Sequence, residues 1–232
     1  MKNKPNLKLW VQDELLPFRP DPRIVIGADH YPGAQAAWVA WTIPSEMVCA
    51  LVKTNTDSRT LTLCMCDLAA VALAILKADD FDDLAAFQQG LRLARKWART
   101  GYEADFDELD WAIKKLHAIF KPLRAPLNIR YAAYAITRAV RTAEGRGAAL
   151  EIPFVVQKAI LLSLRWDIDG RLVQNRLLAG LDNDKLSEDS IRLWQCKRIR
   201  KHFPDRPAFR PTTTTHPTFH LFGTPLPAGI LY

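Results

Sequence analysis

Cysteine is scarce in this sequence. Four residues (Cys49, Cys64, Cys66 and Cys196) occur among 232, irregularly spaced, which excludes the disulfide framework of a small secreted domain. A reducing, cytoplasmic setting is the expectation. Long apolar runs are missing as well. The longest, LAAVALAIL, covers nine residues between Asp67 and Lys77, whereas a helical bilayer span needs about 20. The opening stretch MKNKPNLKLWVQDELL has basic residues but no apolar segment leading to a small-residue cleavage site, so neither a secretory signal nor a membrane partner is read there. There is no Gly-x-Gly-x-x-Gly and no P-loop, and no nucleotide cofactor is expected. His30 stands beside Asp29 in a Gly/Pro-framed loop, but no Ser or Cys nucleophile motif accompanies the pair. The reading leans away from an enzyme.

What remains is ordinary globular material, 49% hydrophobic and 25% charged, enough for one sizeable domain. Residues 1–22 are punctuated by Pro5, Pro17, Pro20 and Pro22 and read as an extended arm. A single globular domain is expected over 23–203, β-rich over 23–66 and helical over 67–203. The β-branched and aromatic runs RIVIG, AAWVAWTI, MVCALVKT and TLTLCMC favour strands, with NTDSR as a hairpin turn. From Asp67, taken as an N-cap, the periodicity becomes helical. Seven helices are expected, the second ending at Gly101, the third opening on Asp105-x-x-Glu108, and the last two being GRLVQNRLLAGL and SEDSIRLWQCKRIRKHF. The fold class is thus α+β, a small N-terminal antiparallel sheet packed on a mainly α-helical body. The alternative is an all-α helical bundle with an extended N-terminal arm, in which PSEMVCALVK is a helix with Pro44 in its first turn. Residues 204–232 form a Pro/Thr-rich extended tail, whose apolar end, LFGTPLPAGILY, suits docking on a protein partner.

Charge is concentrated. Residues 192–210 hold seven Lys/Arg against one acid, Asp205, supplying +6 of the net +7. Such concentration is the footprint of a polyanion partner. On a helical projection Arg92, Arg95, Lys96 and Arg99 share one arc. Arg130, Tyr134, Arg138 and Arg141 share another, together with Thr137. In the last helix Lys197, Arg198 and Lys201 surround Trp194, while Leu193, Cys196, Ile199 and Phe203 form the apolar stripe. Cations interleaved with an aromatic ring suit phosphates and stacked bases. The expected function is therefore non-enzymatic association with DNA or RNA through the basic C-terminal helix, with Trp194, Lys197, Arg198, Lys201, Arg130, Tyr134, Arg138 and Arg141 as contact residues. Helix dipoles and solubility also call for charged faces, so a protein-interaction module (adaptor, inhibitor, immunity-type or assembly subunit) is the alternative. A helix-turn-helix reading, with Ser187, Asp189, Ser190 and Arg192 facing base edges, is weakened by the six residues LDNDKL where the turn belongs.

Metal chemistry has weaker support. Cys64 and Cys66 with His216 and His220 have zinc-ligand chemistry but not zinc-site spacing, so no metal is assigned. Asp79, Asp80, Asp82 and Asp83, the cluster Asp105, Asp107, Glu108 and Asp110, and the pairs Asp167/Asp169 and Asp182/Asp184 make a metal-dependent nuclease the third reading. Helix capping already accounts for most of these acids.

Overall fold

The computed structural model describes residues 7–9, 11–15, 25, 28–54, 56–166 and 187–205. Eight α-helices lie within them: α1 (Ala34–Ala40), α2 (Pro44–Lys53), α3 (Ser58–Ala78), α4 (Leu84–Thr100), α5 (Glu103–Phe120), α6 (Leu127–Arg141), α7 (Ile152–Trp166) and α8 (Glu188–His202). A π-type turn at Val11–Leu15 precedes them, and a 3-10 segment at Arg146–Glu151 leads into α7. No strand occurs among the described residues. The N-terminal antiparallel sheet is therefore overturned, and the all-α alternative fits.

The physical reason is legible in each misread run. AAWVAWTI contributes most of α1, whose Trp38 is buried against the core. PSEMVCALVK is α2, opened by Pro44, whose missing N–H is no loss in a first helical turn. TLTLCMC is not a strand beside a separate helix. It is the front half of α3, continuous with LAAVALAIL. The supposed turn NTDSR supplies the helix start: the Asp57 carboxylate accepts from the Thr60 amide at 2.8 Å and from its hydroxyl at 2.6 Å. Thr62, β-branched and fully buried, is accommodated by donating its hydroxyl to the Ser58 carbonyl at 2.8 Å.

α3 is the axis of the molecule. It packs along α4, α6, α7 and α8, and Leu61, Met65, Leu68, Ala72, Ile75 and Leu76 are buried to within 1% of completeness. Burying each large side chain stabilises the fold by about 1.5–3 kcal/mol. By length and composition α3 and the stretch Arg146–Leu164 are each apolar enough to cross a bilayer; 67% of the window in α3 is covered by the fold itself. The antiparallel run α4–α5–α6 closes around Gly90, where a Cβ would stand 2.6 Å from Leu116 Cδ1 and 3.5 Å from Val140 Cγ2. Gly101 ends α4 at φ +70°, the left-handed stop expected from the sequence. α5 begins at Glu103, ahead of the expected Asp105 box. Val11, in the segment read as an arm, is fully buried in the core. The helix expected from GRLVQNRLLAGL and most of RIVIG lie outside the described residues, as does the tail beyond Asp205.

Candidate nucleic-acid interface

The last helix opens with a reciprocal cap. Ser190 N donates to Ser187 Oγ at 3.2 Å, and Ser187 N donates to Ser190 Oγ at 2.9 Å. Its inward side is Ile191, Trp194, Gln195, Cys196 and Ile199. Cys196 and Ile199 face inward as expected, but two assignments are exchanged. Leu193, assigned inward by sequence, is 53% exposed, while Trp194, assigned to the cationic side, is 6% exposed. The Arg198 guanidinium lies over the Trp194 ring, 5.6 Å from its centroid. A ring so covered offers no face to a base.

Several cations of this helix are committed to the fold. Arg200 donates from Nε to the Trp38 carbonyl at 3.2 Å and from Nη2 to the Trp41 carbonyl, while Trp38 Nε1 donates to the Phe203 carbonyl at 2.9 Å. These bonds strap α1 to the end of α8. Arg192 pairs with Glu188 and Asp189 on its own helix. Lys197 and Lys201 remain exposed one turn apart, with Arg198 half-buried beside them.

The α6 arc is largely occupied. The Tyr134 hydroxyl donates to Glu151 Oε2 at 2.5 Å, its ring stacks on Phe120 at 5.1 Å, and burial pushes its phenol well above the ordinary value, helped by Glu151. Arg138 reaches Glu151 at 3.5 Å and the Gly147 carbonyl at 3.4 Å, and Arg141 reaches Glu144 at 2.9 Å. Arg130, which has a partner of its own, also lines an open cleft formed with the 121–126 loop between α5 and α6. The α4 arc is mixed: Arg92 and Arg99 are exposed, but Lys96 pairs with Asp105 at 2.7 Å and Glu108 at 3.4 Å. Lys96 and the Thr100 hydroxyl hold the Asp105 carboxyl below the usual range.

Sequence reasoning missed one polar cluster. Asp67 is not an N-cap; it lies in mid-α3 and bonds His202 Nε2 at 2.9 Å and Arg95 Nη2 at 3.1 Å. Arg95 also donates to the Cys66 carbonyl at 3.1 Å. The His202 bond foremost, with Arg95, holds the Asp67 carboxyl below its ordinary value against partial burial. The only local sign was a carboxylate within an otherwise apolar run.

Cys64 and Cys66 are fully buried in a helix. Burial pushes the Cys66 thiol up to about 12 and Cys64 well above its ordinary value, which disfavours the thiolate that binds metal. Their partners in the zinc reading, His216 and His220, lie outside the described residues, as do Asp167, Asp169, Asp182 and Asp184. Among the described residues no group of three or more His, Cys, Asp or Glu is placed to hold a metal ion. Asp79, Asp80, Asp82 and Asp83 are exposed around the α3–α4 turn, with Asp79 accepting from Asn128 Nδ2 at 3.2 Å. Compared with known proteins, the chain matches no family model, no curated protein and no solved structure.

Proposed function

We propose that this chain is a non-enzymatic protein that binds the nucleic-acid backbone through the outer face of α8. The observation that carries the reading is the row Lys197, Arg198 and Lys201 on a helix anchored to the core by Ile191, Trp194, Cys196 and Ile199. Like charges at i,i+4 on a helix are unfavourable by about 0.2–0.5 kcal/mol. The helix dipole compensates Lys201 in the last turn but leaves Lys197 outside its reach. A polyanion would relieve the remainder and gain counterion release.

The contacts invoked are phosphate contacts, because Trp194 is covered and Tyr134 is engaged by Glu151. Sequence preference would accordingly be slight. Purified protein should carry nucleic acid, visible in its ultraviolet absorbance spectrum and removed by a high-salt wash. Protein that carries none and binds none at low salt would end the reading. A protein-interaction module is the second reading, favoured by Val39, Ile43 and Leu193, which are 57%, 41% and 53% exposed. It predicts co-purification of a stoichiometric protein without nucleic acid.

A further inference from the structure

Helix α5 packs on α4 and α6 and buries Leu109, Ala112, Ile113 and Leu116. Its outer face has an order that solubility alone does not require. At about 100° per residue, Ala104, Asp107, Glu108, Trp111, Lys114, Lys115 and Ala118 fall within an arc of about 120°. All of them are exposed. Trp111, 57% exposed, stands at the centre. The acids Asp107 and Glu108 lie on its N-terminal side, Lys114 and Lys115 on its C-terminal side, and an alanine closes each end. The face therefore reverses its charge about Trp111.

We infer that this face is a self-association surface whose occupant is a second copy of this chain. A two-fold axis beside Trp111, perpendicular to two antiparallel α5 helices, brings the acidic half of each against the basic half of the other. Asp107 then meets the second copy's Lys114, and Glu108 meets the second copy's Lys115, twice over. Ala104 and Ala118 are small enough to let the helix ends approach. A parallel pairing would set acids against acids and lysines against lysines. The charges have partners within the chain: Lys114 with Asp110 at 2.5 Å and Glu108 with Lys96 at 3.4 Å. These pairs are exposed and screened by solvent, so they exchange readily for pairs across the axis. The Lys115 ammonium lies over the Trp111 ring, 5.4 Å from its centroid, and the pair forms the centre of the contact, where tryptophan is the commonest anchor. Two single helix faces, each about 21 Å long, fall short of the roughly 1,200 Å² buried in a stable interface. The association is accordingly weak and concentration-dependent.

The surface is independent of α8 and of the function proposed for it. Its test is sedimentation equilibrium of the full chain at low salt, after a high-salt wash has removed any nucleic acid. The wild type should pass from monomer to dimer as concentration rises, and added salt should weaken the dimer. Lys114→Glu/Lys115→Glu and Asp107→Lys/Glu108→Lys each give a face of one sign and should weaken self-association about tenfold or more. Mixed in equal amounts, the two variants should recover a dimer. Trp111→Ala alters a largely exposed side chain and should weaken the dimer about tenfold; it serves where a charge-reversed variant does not fold. A wild type that stays monomeric at every concentration overturns the proposal, as it would if a different protein were the occupant. Self-association that none of the three variants weakens lies on another face and overturns it too, and so does a mixture of folded charge-reversed variants that stays monomeric.

Discussion

Asp67 is the residue on which three helices converge, joining α3 to Arg95 of α4 and His202 of α8. Its side chain is 30% exposed, so removing its charge falls between the small effect at a surface pair and the large one in a dry interior. Asp67→Asn should lower stability at neutral pH by about 1–3 kcal/mol, measured by urea unfolding. The pH dependence has a definite sign. The folded carboxyl is held below its unfolded value, so its contribution is present above about pH 4 and disappears as pH falls through the folded value. The gap between wild type and Asp67→Asn should therefore close on acidification. A gap that widens toward acid would show that Asp67 is not the stabilising anion. Gly101 makes a second test. Its φ of +70° sets the cost of Gly101→Ala at about 1 kcal/mol or more, read as a lower thermal midpoint, while the Arg59 guanidinium, 2.4 Å from a would-be Cβ, can swing aside. The helix stop at Gly101 was legible because only local conformation decides it. The Asp67 cluster was not, since its partners lie 28 and 135 residues away.

Among the elements, α3 and α8 show where local pattern and tertiary burial part company. Thr, Leu, Cys and Met in residues 60–66 fit a strand by composition, yet they continue into a 21-residue helix because packing on every side outweighs intrinsic preference. The cap was available in the sequence: Asp57 three residues before Thr60 is an N-terminal signature as well as turn material. Asp57→Ala should cost about 1 kcal/mol and speed hydrogen exchange of the first-turn amides of α3; unchanged exchange would deny the cap a role. In α8 the amphipathic character was legible, with Cys196 and Ile199 inward and Lys197 and Lys201 outward, but the sides of Leu193 and Trp194 were not. Gln195 is buried, its amide donating to the Pro153 carbonyl at 2.9 Å. A polar residue facing inward pulls the buried arc away from Leu193 and toward Trp194. Trp194→Ala should therefore lose about 3 kcal/mol or more, and Leu193→Ser should change stability by less than about 0.5 kcal/mol. Equal losses would return the helix to the phase read from sequence.

For the whole molecule, the sequence concentrates positive charge in residues 192–210, five of whose seven Lys/Arg lie in α8, and the fold then divides that charge by use. Arg192 and Arg200 are spent on intrahelical pairs and on the carbonyls of α1. Arg138 and Arg141 meet Glu151 and Glu144. Composition alone could not make this division, because each assignment depends on which acid or carbonyl the packing brings near. The outer row of α8, Lys197, Arg198 and Lys201, is the surface we propose for a polyanion. Its most direct test is the salt dependence of binding of the full chain to a short single-stranded DNA, compared with Lys197→Gln/Lys201→Gln. Wild-type affinity should fall steeply with salt, and the double variant should lose about 0.7 from the logarithmic slope for each phosphate contact removed. Absent binding at low salt, or identical slopes for the two proteins, would contradict a backbone-binding role for α8.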